Sequence, residues 1–98
     1  MATVHVFAEI KASEGYEREL ESALCGLLEP SREELGCCQF ELYRDKSVSD
    51  VFILQEVWIS QRSLDLHMES DHFQSFLTSI QENQWVEYIT PRTLNFLG

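Results

Sequence analysis

Two histidines five residues apart, His67 and His72, follow a segment that ends Glu56-Val57-Trp58. An imidazole titrates near neutral pH, so either ring could act as a general base. Each histidine also has a plainer reading: His67 as a packing residue, and His72 as a first-turn residue bonded to backbone. Glu56 is a carboxylate on an otherwise apolar stretch, which is costly unless paired. It could orient a histidine or a substrate, or close a salt bridge with Arg44, Arg62 or Arg92. Trp58 offers an indole wall and one N–H donor to an aromatic substrate, or simple core packing. These residues make His67, His72 and Glu56 the catalytic candidates and Trp58 a substrate-binding one. A metal site needs more ligands than the histidine pair supplies, so none is expected.

Further candidates lie outside this stretch. His5 shares one face of the first strand with Phe7, where it could reach the same site or cover a seam between subunits. Phe40, Phe73, Phe76 and Met68 read as core or as apolar lining of a substrate pocket.

The elements that must position these groups follow from hydrophobic period. Val4, Val6, Ala8 and Ile10 alternate with polar or mixed residues, which predicts a strand. Ser13 is a candidate N-cap for a helix carrying Tyr16, Leu20, Leu24, Leu27 and Leu28. Pro30 should halt that helix near Glu29, with a possible extra turn to Leu35 before Gly36. Cys38, Phe40 and Leu42 alternate in a second strand, and Val51 to Ile59 form a third. A short polar loop between them predicts an antiparallel hairpin. Ser60 should cap a helix holding Leu64, Leu66 and Met68, and Ser70 a second piece with Phe73, Phe76, Leu77 and Ile80. A continuous helix would hold His67 and His72 about 140° apart, so they converge only if it breaks near Ser70. Trp85 to Ile89 could be one more helical turn, with a final strand from Thr93 to Leu97 beyond Pro91.

The order β-α-β-β-α-β is the ferredoxin-like arrangement, an α+β fold with a four-stranded antiparallel sheet and both helices on one face. The apolar content of both faces of the third strand requires a partner over the bare side. Ninety-eight residues are expected to form a single domain spanning 1–98.

Composition excludes several classes. The net charge is −10 with only 7 basic residues, which argues against nucleic acid and anionic membranes. No apolar run is long enough to span a bilayer. Three cysteines, Cys25, Cys37 and Cys38, with no leader-like N-terminus, point to buried structural thiols in a reducing cytoplasm.

The segments Gly36–Leu42, Phe52–Trp58 and His67–Phe73, in this order and spacing, resemble the antibiotic biosynthesis monooxygenase-like family of dimeric α/β barrels. The resemblance spans essentially the whole chain. It implies a homodimer with two sheets face to face, a pocket between sheet and helices, and oxidation of a small quinol or other phenol by molecular oxygen without flavin, haem or metal. No cofactor is therefore expected. The chain departs from the family at Phe40, where Tyr is frequent, and at Asp71, where Pro is frequent. Asp71 precedes His72 and would favour its imidazolium. Haem-degrading relatives carry Asn near the position of Ala8 and Trp at that of His67, so haem chemistry is not expected here. Two other functions remain open: an isomerase or lyase of a small carbonyl metabolite, for which Phe40 and Thr90-Pro91-Arg92 resemble a relative handling a phosphorylated signal, and a dimeric ligand-binding module without catalysis.

Overall fold

A computed structural model describes residues 2–98. The chain runs β1 (Val4–Ala12), α1 (Glu17–Arg32), β2 (Cys37–Arg44), β3 (Val51–Trp58), α2 (Gln61–Glu69), α3 (Asp71–Glu82) and β4 (Val86–Leu94). The four strands form one antiparallel sheet in the order β2-β3-β1-β4. This is the expected ferredoxin-like order, with the second helix divided in two.

Alternation decides which side of each strand is buried. Val6, Ala8, Ile10 and Ala12 of β1 turn inward, as do Phe52, Leu54, Glu56 and Trp58 of β3. Over them, α1 lays Leu20, Leu24 and Leu27, and α3 lays Phe76 and Ile80, each at helical spacing. Burying one such side chain contributes about 1.5–3 kcal/mol. The opposite side of the sheet carries no helix. Phe7, Tyr43, Tyr88 and Leu94 are exposed there, beside half-buried Ile53 and Val57.

Several local expectations are corrected. Ser13 does not cap α1: its carbonyl accepts from the Tyr16 N–H, and Tyr16 stands at the cap position without a side-chain bond. The helix runs through Pro30 to Arg32. A proline there costs the bond its N–H would have made to the Gly26 carbonyl and crowds that carbonyl, and the packing of Leu20, Leu24 and Leu27 carries the helix past it. Gly36 then turns the chain at φ +89°. A Cβ there would lie 2.7 Å from Ser63 Cβ and 2.8 Å from Ile59 Cγ2. The thiols are not a buried set, since Cys25 and Cys38 are exposed and only Cys37 is half-buried. A register shift between Cys37 and Gln39 displaces Cys38 from the inward row.

The C-terminal region differs most. Gln84 at φ +54° ends the helical path, so residues 86–89 extend and pair with β1 where a helical turn was expected. Pro91 lies inside this strand, opposite Ala8. The strand is at the sheet edge, where a missing N–H can face solvent. Among the described residues, no helix is long and apolar enough to cross a membrane.

Candidate active site

The inward row of β3 places Glu56 and Trp58 two residues apart on one face, and both are buried. The Trp58 Nε1–H donates to Glu56 Oε1 at 2.9 Å. Burial pushes the Glu56 carboxyl above its ordinary range. The Trp58 hydrogen bond and the nearby His67 oppose that shift, and the charge of Glu34 adds to it. Among the described residues no arginine pairs with Glu56; Arg44 pairs with Glu21 instead.

Helix α2 starts at Ser60, whose hydroxyl accepts from the Ser63 N–H. Leu64 and His67, three residues apart, form its inner stripe, which turns Leu66 and Met68 out to solvent. Met68 is 47% exposed, on the outer side of α2 and away from the core expected for it. His67 is packed among aromatic rings, with centroids 4.7 Å from Trp58, 5.1 Å from Phe73 and 5.4 Å from Phe40.

The chain breaks at Ser70, which ends α2 and caps α3. Its hydroxyl donates to the His67 carbonyl at 2.7 Å and accepts from the Phe73 N–H at 3.3 Å. The break brings the two imidazoles together, with centroids 5.9 Å apart.

Glu34, in the turn after α1, closes the cluster. One of its oxygens lies 2.6 Å from His67 Nδ1 and 2.8 Å from His72 Nε2. An ionised carboxylate only accepts, so it selects the tautomers with N–H at those two positions. His67 Nε2 then faces Glu56 Oε1 at 3.9 Å, beyond hydrogen-bonding range. A chain of polar groups thus runs from Trp58 through Glu56, His67 and Glu34 to His72. Cys37 stands at its margin, its thiol pushed up by burial and by the charge of Glu34.

The structure therefore gathers His67, His72, Glu56, Trp58, Phe40 and Phe73, and excludes Met68 and His5. His5 stacks on Phe96 at 5.4 Å, on the helix-free side of the sheet. Glu34 escaped sequence reasoning because it belongs to no periodic pattern. One signal pointed to it: a carboxylate beyond the C-terminal end of a helix sits against the dipole, an unfavourable place without a partner.

The inner half of the cluster is closed. Trp58 is 0% and His67 1% exposed, so the space between sheet and helices is filled at this point by Phe40, Phe73 and the two rings themselves. The outer half is open. His72 borders a groove of about 700 Å³ between α1 and α3, lined also by Arg18, Ala23, Gly26, Phe76 and Trp85. Arg92, the cation expected for a phosphorylated substrate, lies instead with Phe7, Glu9 and Tyr88 on the helix-free side.

Comparison with known proteins agrees with this architecture. The sequence pattern described as antibiotic biosynthesis monooxygenase matches residues 3–79. The protein sll1783 of Synechocystis is 31% identical over 72 residues, covering 74% of this chain and 49% of the relative. The chain thus spans about half the length of that relative. YcnE of Bacillus subtilis, which carries the provisional name of a monooxygenase, is 29% identical over 75 residues, covering 76% of this chain and 79% of YcnE. The crystal structure of PA3566 from Pseudomonas aeruginosa superposes with a TM-score of 0.95 at 28% identity, covering 100% of this chain and 97% of that one. By sequence pattern and fold together, this chain belongs to the antibiotic biosynthesis monooxygenase family.

Proposed function

We propose that the protein is a cofactor-independent monooxygenase that oxidises a small aromatic or quinol substrate, working as a cytoplasmic homodimer of single-domain subunits. Family membership supports the reaction class. The observation that carries the assignment of roles is the Glu34 carboxylate holding His72 Nε2 at 2.8 Å beside the groove. The base is thereby oriented with Nδ1 left to take a proton. His72 is the group that meets substrate, while Glu34 and His67 position it from behind. Apolar Phe76, Ala23 and Trp85 suit a flat ring in the groove.

In this reading, His72 takes a phenolic proton and the phenolate reduces oxygen. For a hydroquinone, one oxygen atom enters the ring, the other leaves as water, and the organic product is a hydroxyquinone. The substrate supplies all four electrons, so no external reductant is consumed. The free thiols fit a reducing compartment. The exposed apolar side of the sheet fits a second copy of the chain.

Oxygen uptake with a panel of hydroquinones tests the proposal. Turnover that falls about 10²–10⁴-fold in His72→Ala supports it. No uptake by the wild type on any member, or equal uptake by the variant, overturns it. The closed surroundings of Trp58 and His67 favour a second reading, a binding module whose groove holds a ligand without turning it over.

A further inference from the structure

The histidine pair alone lacks the ligands for a metal site, but the fold adds one. Glu34 brings a carboxylate between the two rings, and one ligand atom from each of Glu34, His67 and His72 lies within 4.8 Å of the others. We propose that these three residues form a binding site for one first-row divalent ion of the zinc or ferrous kind, held by His67 Nδ1, His72 Nε2 and Glu34.

Three features carry this assignment. The first is convergence. Both nitrogens already point at one carboxylate oxygen, at 2.6 and 2.8 Å. An ion with ligands at about 2.0–2.2 Å spaces them by roughly 3.3 Å in a tetrahedral site. Glu34, partly exposed in an irregular turn, would retreat by a fraction of an ångström, and His72, also partly exposed, would set its nitrogen to that spacing from His67 Nδ1, which lies within 4.8 Å. His67, enclosed by three aromatic rings, can stay where it is.

The second is the support behind the ligands. Coordination through Nδ1 moves the His67 proton to Nε2, which faces Glu56 Oε1 at 3.9 Å. Metal-bound imidazoles commonly donate their other N–H to a carboxylate; at 3.9 Å Glu56 is a charge facing that N–H, and it must approach by somewhat under ~1 Å to accept from it. Glu56 is itself held by the Trp58 indole.

The third is charge. Glu34 and Glu56 flank His67, and Glu56 is buried with the Trp58 N–H donating to it. A dication would offset both carboxylates in a region that otherwise disfavours their charge. Two imidazoles and one carboxylate select zinc-like or ferrous ions over magnesium and calcium, which take oxygen ligands. Glu34 and His72 form the solvent side of the cluster, so a fourth position remains for water.

The inference shares residues with the proposed oxidation but does not rest on it, because binding is read without turnover. One consequence does rest on that reading: an ion would displace the Glu34–His72 hydrogen bond and slow the oxidation.

The test is a cobalt(II) titration of chelator-stripped protein, followed by visible absorption and by competition with zinc. One equivalent per chain is expected, with a ligand-field band and no thiolate charge-transfer band. Glu34→Gln and His72→Ala should each weaken binding at least tenfold, while His5→Ala and Cys37→Ser leave it unchanged. Both weakening substitutions are at partly exposed residues, and circular dichroism confirms that the variants are folded. In the wild type itself, zinc should shift the ring nitrogen resonances of His67 and His72 and leave those of His5 in place. No saturation at millimolar cobalt, a band lost only in Cys37→Ser, or unmoved His67 and His72 resonances would overturn the proposal.

Discussion

Replacing Trp58 with Phe isolates the interaction that holds Glu56 inside the protein. The indole N–H donates to that buried carboxylate at 2.9 Å. Losing a hydrogen bond to a charged acceptor costs about 1.5–3 kcal/mol. The smaller ring also leaves a void on the order of 40 Å³, worth about 1 kcal/mol at ~24 cal/mol per Å³. The sum is about 2.5–4 kcal/mol, or a fall in Tm of roughly 10–30 °C for a domain of this size. The hydrogen-bond share can be separated from the packing share in a Glu56→Gln background, where the acceptor is neutral. There Trp58→Phe should cost about 1–1.5 kcal/mol less. Urea unfolding followed by far-UV circular dichroism, at one fixed protein concentration, measures all four corners of the cycle. If the two substitutions add within about 0.5 kcal/mol, the indole does not stabilise the carboxylate and the account of the buried pair is wrong.

The raised pKa of Glu56 sets a sign for pH dependence. The unfolded chain loses this proton near the ordinary carboxylate pKa and the folded chain only at higher pH, so the wild type loses stability as pH rises through that interval. Glu56→Gln should therefore gain on the wild type from about pH 4.5 upward, read as the difference in urea midpoint across a pH series; a difference that is flat with pH counts against a raised pKa. Gly36→Ala should destabilise by more than about 1 kcal/mol in the same assay, because the new methyl meets Ser63 and Ile59 in a left-handed backbone conformation. Phe7→Glu combined with Ile53→Glu should turn a dimer into a folded monomer by light scattering, and a wild type that is itself monomeric would remove the homodimer proposal.

Much of this fold is legible because its signals are local. The alternation of Val6, Ala8 and Ile10 and the Ser60 and Ser70 caps each depend on a few neighbouring residues. The misreadings come from context that sequence does not carry. Pro91 looks like a strand breaker until β4 is known to lie at an edge. Met68 looks like lining until Leu64 and His67 fix which side of α2 faces inward. At the site, Glu56, Trp58 and the histidines stand out as chemistry on an apolar background. Glu34 reaches them across 33 and 38 positions of sequence. That contact depends on how α1 and the Gly36 turn are laid against α2, which no short motif encodes.

Ser70 holds φ −66° and ψ 152° between two helices. The backbone ladder is interrupted there, so rotation about a single bond can swing α3 without unwinding α2. Such a swing would change the spacing between the imidazoles and the tension on the Glu34 bridge, and would draw Phe73 off His67. The hydroxyl that joins the helix ends is thus also the latch on this pivot. Its removal should loosen the geometry of the polar cluster more than it weakens the protein as a whole.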